Sequence, residues 1–220
     1  MREKRGEAMA EPHARSMTFA QTLDAIRQDV RRYSDGAFLV LLIKILYAHP
    51  SFAGILYYRI GHWLWGTRRN PLAWGAYVCH RVFYPLVRMY SGLELLPYTS
   101  VGPGLQILHY GPTIIHPAAV MGNNVSLLHG VTIGVSVIGI SNLGAPCIGD
   151  NVAIGTGAAI LGDIVIGNNV TIGAGAVVLC SVPENTTVVG IPARPVMTDQ
   201  DKHPSLSIME PTNIPVRSLR

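Results

Sequence analysis

A period of six residues runs through the second half of the chain. Aliphatic lead residues recur at this spacing in two series, which are Met121, Leu127, Ile133 and then Ile148, Ile154, Ile160, Ile166, Ile172, Val178. Glycine directly follows six of these nine leads, and the fourth residue after most of them is small or aliphatic. An α-helix repeats every 3.6 residues and an ordinary strand every two, so neither explains the pattern.

A six-residue period predicts one short strand and one corner per repeat. Three repeats then close a triangular coil, and stacked coils bury the aliphatic column. Glycine and asparagine suit the corners because they tolerate the backbone angles of tight turns. The sequence therefore predicts a parallel β-helix over residues 93–196. A dinucleotide-binding loop at Gly155-Thr-Gly157 is disfavoured, because no third glycine and no helical pattern follow.

Two interruptions break the period. The repeat that starts at Ile107 is eight residues long and reaches Ile115, so it bulges by two residues. The step from Ile133 to Ile148 is fifteen residues, which predicts that a loop over residues 134–147 leaves the coil. Bulges and extruded loops on a regular solenoid are common places for functional sites.

The first part of the chain has helical periodicity instead. Residues 1–16 are polar and predict a disordered N-terminus, and residues 17–92 predict a helical domain. Its elements are a helix with the apolar face Phe19, Leu23, Ile26, Val30 and Tyr33, a buried helix over residues 38–47, a helix from Pro50 to Trp65 with Ser51 as N-cap, and a last helix over residues 71–89. Residues 197–220 form a tail.

Composition narrows the classes of function. Residues 1–100 hold 13 Lys or Arg against 7 Asp or Glu, whereas residues 101–183 hold only Asp150 and Asp163. A basic helical half admits peripheral contact with an anionic membrane, although solvated helix faces explain it equally simply. Nucleic acid is disfavoured because no recognition motif is present. Three cysteines without a CxxC pair, and no apolar signal core, predict a cytoplasmic protein.

Residues 20–196 resemble the serine acetyltransferase family and its polysaccharide-modifying relatives. The strings that carry the resemblance are Ile26-Arg-Gln-Asp29, His49-Pro-Ser-Phe52, Tyr58-Arg-Ile-Gly-His-Trp-Leu-Trp65, Gly92-Leu-Glu94, His109-Tyr-Gly111, Val131-Thr-Ile-Gly134, Ile172-Gly-Ala-Gly-Ala-Val-Val178 and Val189-Gly-Ile-Pro-Ala-Arg194. The resemblance implies a mainly β fold, a left-handed parallel β-helix with an N-terminal α-helical domain. It also implies an acetyl-CoA-dependent O-acetyltransferase.

The resemblance places the general base at His109, in the bulged repeat. A family carboxylate fifteen positions earlier orients the imidazole, and that position is Glu94 here. Histidine suits the role because its side chain titrates near neutral pH. A structural alternative for Glu94 is a salt bridge at the domain junction. Two family features are missing, since Leu108 stands where an acidic residue precedes the base and Gly144-Ala145 stand where an Arg-His pair precedes Pro146.

His129 and Tyr110 are the candidate acceptor-binding residues. Counting three repeats from Ile107 to Leu127 puts His129 on the same face as His109, one coil away. A stacked surface histidine is the simpler alternative for His129. A zinc site made of His109, His116 and His129 is disfavoured because the three faces do not converge, so no metal is expected.

The resemblance also places acetyl-CoA in a groove between neighbouring subunits. The matching backbone positions are Gly155, Thr156, Gly173 and Ala174. Arg194 is a candidate for the nucleotide phosphates, with packing at the end of the coils as its equal alternative.

The missing family groups bear on the acceptor. They favour a small-molecule or lipid-linked saccharide of exopolysaccharide biosynthesis over L-serine, with serine O-acetylation as the alternative and an inactive trimeric scaffold as a further one. We expect a homotrimer located in the cytoplasm, with peripheral contact at the inner face of the membrane allowed. No sulfhydrylase complex is expected, because the tail ends in the charged Arg220.

Overall fold

The computed structural model describes residues 17–33, 44–136 and 144–196. Within these ranges, three helices with both ends described come first: α1 (Phe19–Arg31), α2 (Pro50–Thr67) and α3 (Pro71–Ser91), and residues 44–48 are also helical. Fifteen short strands follow: β1 (Leu93–Glu94), β2 (Ser100–Val101), β3 (Gln106–Leu108), β4 (Thr113–Ile115), β5 (Val120–Met121), β6 (Ser126–Leu128), β7 (Thr132–Gly134), β8 (Cys147–Ile148), β9 (Ala153–Ile154), β10 (Ala159–Leu161), β11 (Val165–Ile166), β12 (Thr171–Ile172), β13 (Val177–Val178), β14 (Thr187–Val189) and β15 (Arg194–Pro195). The predictions for residues 1–16, 38–43 and 197–220, and for the middle of the loop, lie outside the described residues.

The strands form three parallel sheets around one core, and the fold-class prediction is confirmed. Sheet A contains β1, β4, β7, β10 and β13, sheet B contains β2, β5, β8 and β11, and sheet C contains β3, β6, β9, β12 and β14, with β15 antiparallel at its end. The chain visits the sheets in rotation, so each coil has three sides. Every lead residue from Ile107 to Val178 is at most 2% exposed. The six-residue period thus marks the column of side chains that fills the coil.

The helix limits follow from local caps. Thr18 caps α1 through a reciprocal pair of hydrogen bonds with Gln21. Gly92 ends α3 in the left-handed conformation that favours glycine. Two predictions were wrong in detail. Ser51 does not cap α2, since the N-cap is His49 and no side chain caps that end. Ile45 is 4% exposed but Tyr47 is 91% exposed, so the described end of the segment predicted as a buried helix is buried on one side only.

A buried ion pair closes the open end of the first coil. Arg59 on α2 and Asp29 on α1 lie 2.8 Å apart, and both side chains are at most 1% exposed. Asp29 also accepts a hydrogen bond from the backbone N–H of Leu105, and Arg59 donates to the carbonyls of Val101 and Gly102. The first coil has no preceding coil to pair with, so these side chains satisfy backbone groups that burial would otherwise leave unpaired.

Tyr33 satisfies backbone groups at the edge of sheet C. Its hydroxyl accepts from the N–H of Ile107 and donates to the carbonyl of Ile107. Gln106, the residue before it, donates from its side-chain amide to the carbonyl of Arg32. The helical domain therefore covers the edge of β3 directly below the turn that carries the candidate base.

Asparagines occupy the corner where sheet B leads into sheet C. Asn124, Asn151, Asn169 and Asn185 all have a positive φ, between 55° and 58°. Each amide donates to the side-chain oxygen of the next asparagine along the coils, at 2.9–3.2 Å. The ladder repeats one turn geometry from coil to coil and fixes their vertical register.

Candidate active site

The corner where sheet C leads into sheet A carries most of the predicted site residues. We name this corner the His109 edge. It consists of the turns at residues 109–112, 129–131, 155–158 and 173–176, stacked one per coil. Backbone hydrogen bonds from Gly157 to His129 and from Gly175 to Thr156 tie successive turns together. Since adjacent parallel strands are about 4.8 Å apart, the edge spans roughly 14 Å from His109 to Ala174.

His109 lies at the start of this edge in an unusual conformation. Its φ is +67°, in the left-handed region that only glycine and asparagine occupy elsewhere in the described chain. The eight-residue repeat supplies the two extra residues that make this turn wider than its neighbours. The imidazole is exposed, and the strained backbone projects it outward from the corner. Strain retained at a chemically capable side chain is typical of functional sites.

Two residues of the helical domain interact with His109. The hydroxyl of Ser51 donates to the carbonyl of His109 at 2.9 Å. The pKa of His49 is lowered, first by burial and then by the charge of His109. We did not predict either interaction from the sequence, although both residues belong to the string His49-Pro-Ser-Phe52 that carries part of the family resemblance.

His129 meets His109 edge to face. The two rings are 6.0 Å apart at their centroids and 83° apart in plane. The Nδ1 atom of His129 is buried and has no hydrogen-bond partner within the described residues. A Cβ at Gly111 would lie 2.7 Å from the Cβ of His129, so glycine is needed there for the two turns to stack. The repeat count placed His129 correctly, and the structure brings the two histidines together.

Glu94 faces a different partner. Its carboxylate lies 3.1 Å from the guanidinium of Arg88, and both side chains are well exposed. Within the described residues no hydrogen bond joins Glu94 to His109. The structure thus displays the salt bridge at the domain junction, and an orienting role for Glu94 stays a prediction. Tyr110 is 58% exposed, and its hydroxyl donates to the carbonyl of Met89 at the end of α3.

The predicted cofactor positions Gly155, Thr156, Gly173 and Ala174 lie on the same edge, in the two coils beyond His129. A Cβ at Gly155 would lie 2.5 Å from the nitrogen of Ala174, so that glycine is required by packing between coils. Gly173 is likewise close to Val189. The open positions are Gly157 and Gly175, which have positive φ and no neighbouring atom within 4 Å of the point where a Cβ would stand. We did not predict either from the sequence, although their Gly-x-Gly spacing repeats.

Other candidates lie elsewhere. Arg194 is exposed on β15 at the far end of sheet C, and its side chain donates to the carbonyl of Ala193. Gly144 and Ala145 lead into β8, so the base of the extruded loop is at the corner between sheets A and B. His116 follows β4 at that same corner. In the described part of the chain, no group of three or more His, Cys, Asp or Glu could hold a metal ion.

The site is an open edge, not a closed pocket. A cavity of about 410 Å³ lies between α2 and α3 and includes none of the residues of the His109 edge. An open edge can be completed by a second copy of the chain laid against it, as the trimer prediction requires.

Comparisons with known proteins identify the family. The family model described as "Bacterial transferase hexapeptide (six repeats)" matches residues 148–180. Serine acetyltransferase of Mycobacterium tuberculosis is 33% identical over 180 residues, which cover 81% of this chain and 75% of the relative. This chain belongs to the serine acetyltransferase family. The Escherichia coli member is 36% identical over 72% of this chain, but the match spans only 55% of that longer protein.

Solved structures of the family have the same fold. Soybean serine acetyltransferase aligns with a TM-score of 0.65 at 35% identity, covering 80% of this chain and 69% of that one. The Neisseria gonorrhoeae enzyme in complex with serine gives 0.64 at 36% identity, with the same coverages. A serine acetyltransferase in complex with CoA gives 0.65 at 31% identity, covering 81% of this chain and 71% of that one. None of these relatives supports the predicted placement in an exopolysaccharide branch of the family.

Proposed function

We propose that this chain is an acetyl-CoA-dependent O-acetyltransferase in which His109 is the general base. The observation that carries the proposal is His109 itself, an exposed imidazole held at positive φ at the head of an open edge, in a chain of the serine acetyltransferase family. If the chain were an inactive scaffold, nothing would explain the strained backbone of His109 or its hydrogen bond with Ser51.

The proposed step moves one acetyl group and one proton. His109 takes the proton from the acceptor hydroxyl while the oxygen attacks the thioester carbon. The new C–O bond forms, the C–S bond breaks, and the proton passes from the imidazolium to the departing thiolate to give CoA. The hydrogen bond from Ser51 to the carbonyl of His109 fixes the backbone that carries the ring.

The acetyl donor is proposed to lie along the His109 edge. From Thr156 to Ala174 this edge offers small residues, and the positions at Gly157 and Gly175 are open to solvent. An extended thioester arm placed there would direct its acetyl end towards His109, about two coils away. Arg194 remains a candidate for the phosphates at the other end. We expect the neighbouring copy in a homotrimer to form the second wall of the groove.

The comparisons favour L-serine as the acceptor, since the matched relatives are named serine acetyltransferases and one is solved in complex with serine. A saccharide hydroxyl is the second candidate, and a specific observation favours it. Leu108 and Gly144-Ala145 offer no charge for the ammonium and carboxylate of serine, and an ion left unpaired on desolvation loses several kcal/mol. His129 and Tyr110 offer hydrogen bonds and ring faces instead.

A thiol-release assay tests both the role of His109 as general base and the identity of the acceptor. His109→Ala should lower turnover by about 10²–10⁴-fold while acetyl-CoA binding is retained, because loss of a general base removes the proton transfer alone. Arg69→Ala is the control, since Arg69 is exposed in the turn before α3, at the opposite end of that helix from the His109 edge, and it should keep full activity. Wild-type turnover by His109→Ala would refute the base assignment.

The acceptor is identified by comparing L-serine with free, nucleotide-linked and lipid-linked sugars in the same assay. Efficient turnover of serine with no sugar accepted would establish serine O-acetyltransferase activity. The reverse result would establish the saccharide alternative, and neither result would change the role assigned to His109.

A further inference from the structure

Helix α3 is covered on one side only. Tyr77, His80 and Ser91 are buried against the rest of the protein, but most other positions are exposed. The exposed side is apolar along its whole length, with Leu72, Val82, Phe83, Leu86, Met89 and Tyr90 each 53–83% exposed. We name this surface the apolar face of α3. Continuous exposed patches of this kind are uncommon on soluble monomers and mark a surface that contacts something else.

The charged residues within the stretch that contains the apolar face all have one sign. From residue 36 to residue 93 the sequence contains six Lys or Arg and no Asp or Glu. Arg59 is buried in its ion pair with Asp29. The remaining five are Lys44, Arg68, Arg69, Arg81 and Arg88. Glu94, which pairs with Arg88, is the first acidic residue beyond this stretch. The helical hairpin α2–α3 thus combines exposed hydrocarbon with a net positive border.

This combination argues against a symmetric contact between α3 and the α3 of a second copy. A symmetric contact through α3 would bring the same arginines of both copies together, with no acidic residue of the hairpin to pair them. An anionic lipid surface instead offers hydrocarbon to the apolar side chains and phosphate groups to the basic border. Trp74, half exposed on the same helix, suits the boundary between the two.

A groove beside the face has matching chemistry. The cavity of about 410 Å³ between α2 and α3 is lined by Leu46, Leu56 and Ile60, among others, and shares Leu86 and Tyr90 with the apolar face. Its volume is within the range of small-ligand sites, and its lining is aliphatic apart from two tyrosines. Such a groove can receive hydrocarbon and offers little to a polar ligand.

We propose that the apolar face of α3 seats the protein on an anionic phospholipid membrane surface, without spanning it. None of the helices in the described ranges has the length and hydropathy of a membrane span. The face ends beside the candidate active site, because the hydroxyl of Tyr110 donates to the carbonyl of Met89. A membrane under α3 therefore lies next to the entrance of the His109 edge.

Sedimentation of the full chain with vesicles tests the proposal. Binding should be strong to vesicles of phosphatidylcholine mixed with phosphatidylglycerol, weak to phosphatidylcholine alone, and reduced by high salt. The double variant Val82→Glu/Met89→Glu should lower the partition coefficient at least about tenfold, since it puts two charges where hydrocarbon is buried. Both side chains are more than two-thirds exposed, so folding is retained.

One control and two further tests separate membrane binding by the apolar face from a general effect of charge. Val165→Glu/Leu179→Glu adds the same charge on the exposed surface of the coils and should bind like wild type. Arg69→Gln should weaken binding about fivefold, the expected loss for one basic residue at an anionic surface. Trp74 emission should shift to the blue with anionic vesicles, and Trp74→Phe should remove the shift.

The proposal is overturned if wild type does not sediment with anionic vesicles, or if Val82→Glu/Met89→Glu sediments as well as wild type. It is also overturned if that variant instead lowers the oligomeric state in light scattering, because the face would then be an interface between copies. None of these outcomes bears on the role of His109, which the acetyl-transfer assay tests separately.

Discussion

Replacing Arg59 with methionine should destabilise the protein more than any surface change. The substitution keeps much of the buried volume but leaves the Asp29 carboxylate with one hydrogen bond, from Leu105. It also strips the carbonyls of Val101 and Gly102 of their donor. Burial alone lowers the pKa of Arg59, but the charge and hydrogen bonds of Asp29 raise it more, so the net direction is upward. The pair is therefore ionised and mutually dependent.

Breaking a buried pair by removing one partner costs about 3–5 kcal/mol, because the remaining charge stays buried. For a chain of this size that corresponds to a fall of roughly 10 °C in Tm. Thermal unfolding at fixed protein concentration, followed by circular dichroism, measures the loss. Arg69→Met is the matched control and should change stability by less than about 0.5 kcal/mol, because no buried network depends on that side chain.

The double variant Asp29→Asn/Arg59→Met isolates the cause. It removes the orphaned charge but keeps a side-chain oxygen for Leu105, so it should be at least about 1 kcal/mol more stable than Arg59→Met alone. The reasoning is refuted if the double variant is no more stable than Arg59→Met. It is equally refuted if Arg59→Met unfolds like the Arg69→Met control.

Three further predictions concern the coils, the pH response and the assembly. Asn151→Ala should cost about 1–2 kcal/mol in thermal unfolding, because it breaks the ladder on both sides and removes the side-chain hydrogen bonds that offset the backbone strain at φ +56°, whereas Asn151→Gly relieves that strain and should cost less. Burial first lowers the pKa of His80, so the folded chain binds that proton less readily than the unfolded chain. Unfolding free energy should therefore fall as pH drops below about 6.5, and His80→Gln should flatten this loss in chemical denaturation. Light scattering should report a trimer, and a monomer at micromolar concentration would count against a groove between copies.

The repeat pattern predicted the coils well because a solenoid core is local. Each lead residue packs against the leads one coil away, so burial follows directly from the period, as Ile154 and Ile160 illustrate at 0% exposure. The same counting placed His129 beside His109. The cofactor positions came from the family resemblance instead, and they share the corner of His109 because the number of repeats between two residues determines which corner they share.

Contacts between the two halves of the chain could not be predicted this way. Asp29 looks like an ordinary polar residue on α1, and its burial arises only because the first coil needs partners for its backbone groups. Ser51 resembles an N-cap in sequence, yet its hydroxyl donates a hydrogen bond to the carbonyl of His109. Glu94 was assigned to the histidine, whereas the nearby end of α3 supplies Arg88 as its ion-pair partner. Each depends on how the helices meet the first coil.

Among its described residues, one copy of the chain does not bring together the charged groups that a zwitterionic acceptor would need. The His109 edge supplies a base, a second imidazole and open backbone turns, but among the described residues it gathers no cation and carboxylate to receive a zwitterion. The base of the extruded loop lies at the corner between sheets A and B, on another side of the same coil. We expect the neighbouring copy of a trimer, which is proposed as the second wall of the groove, to complete the acceptor site. Under that proposal assembly and acceptor specificity are linked, and a variant that weakens the trimer should lose acceptor discrimination together with turnover.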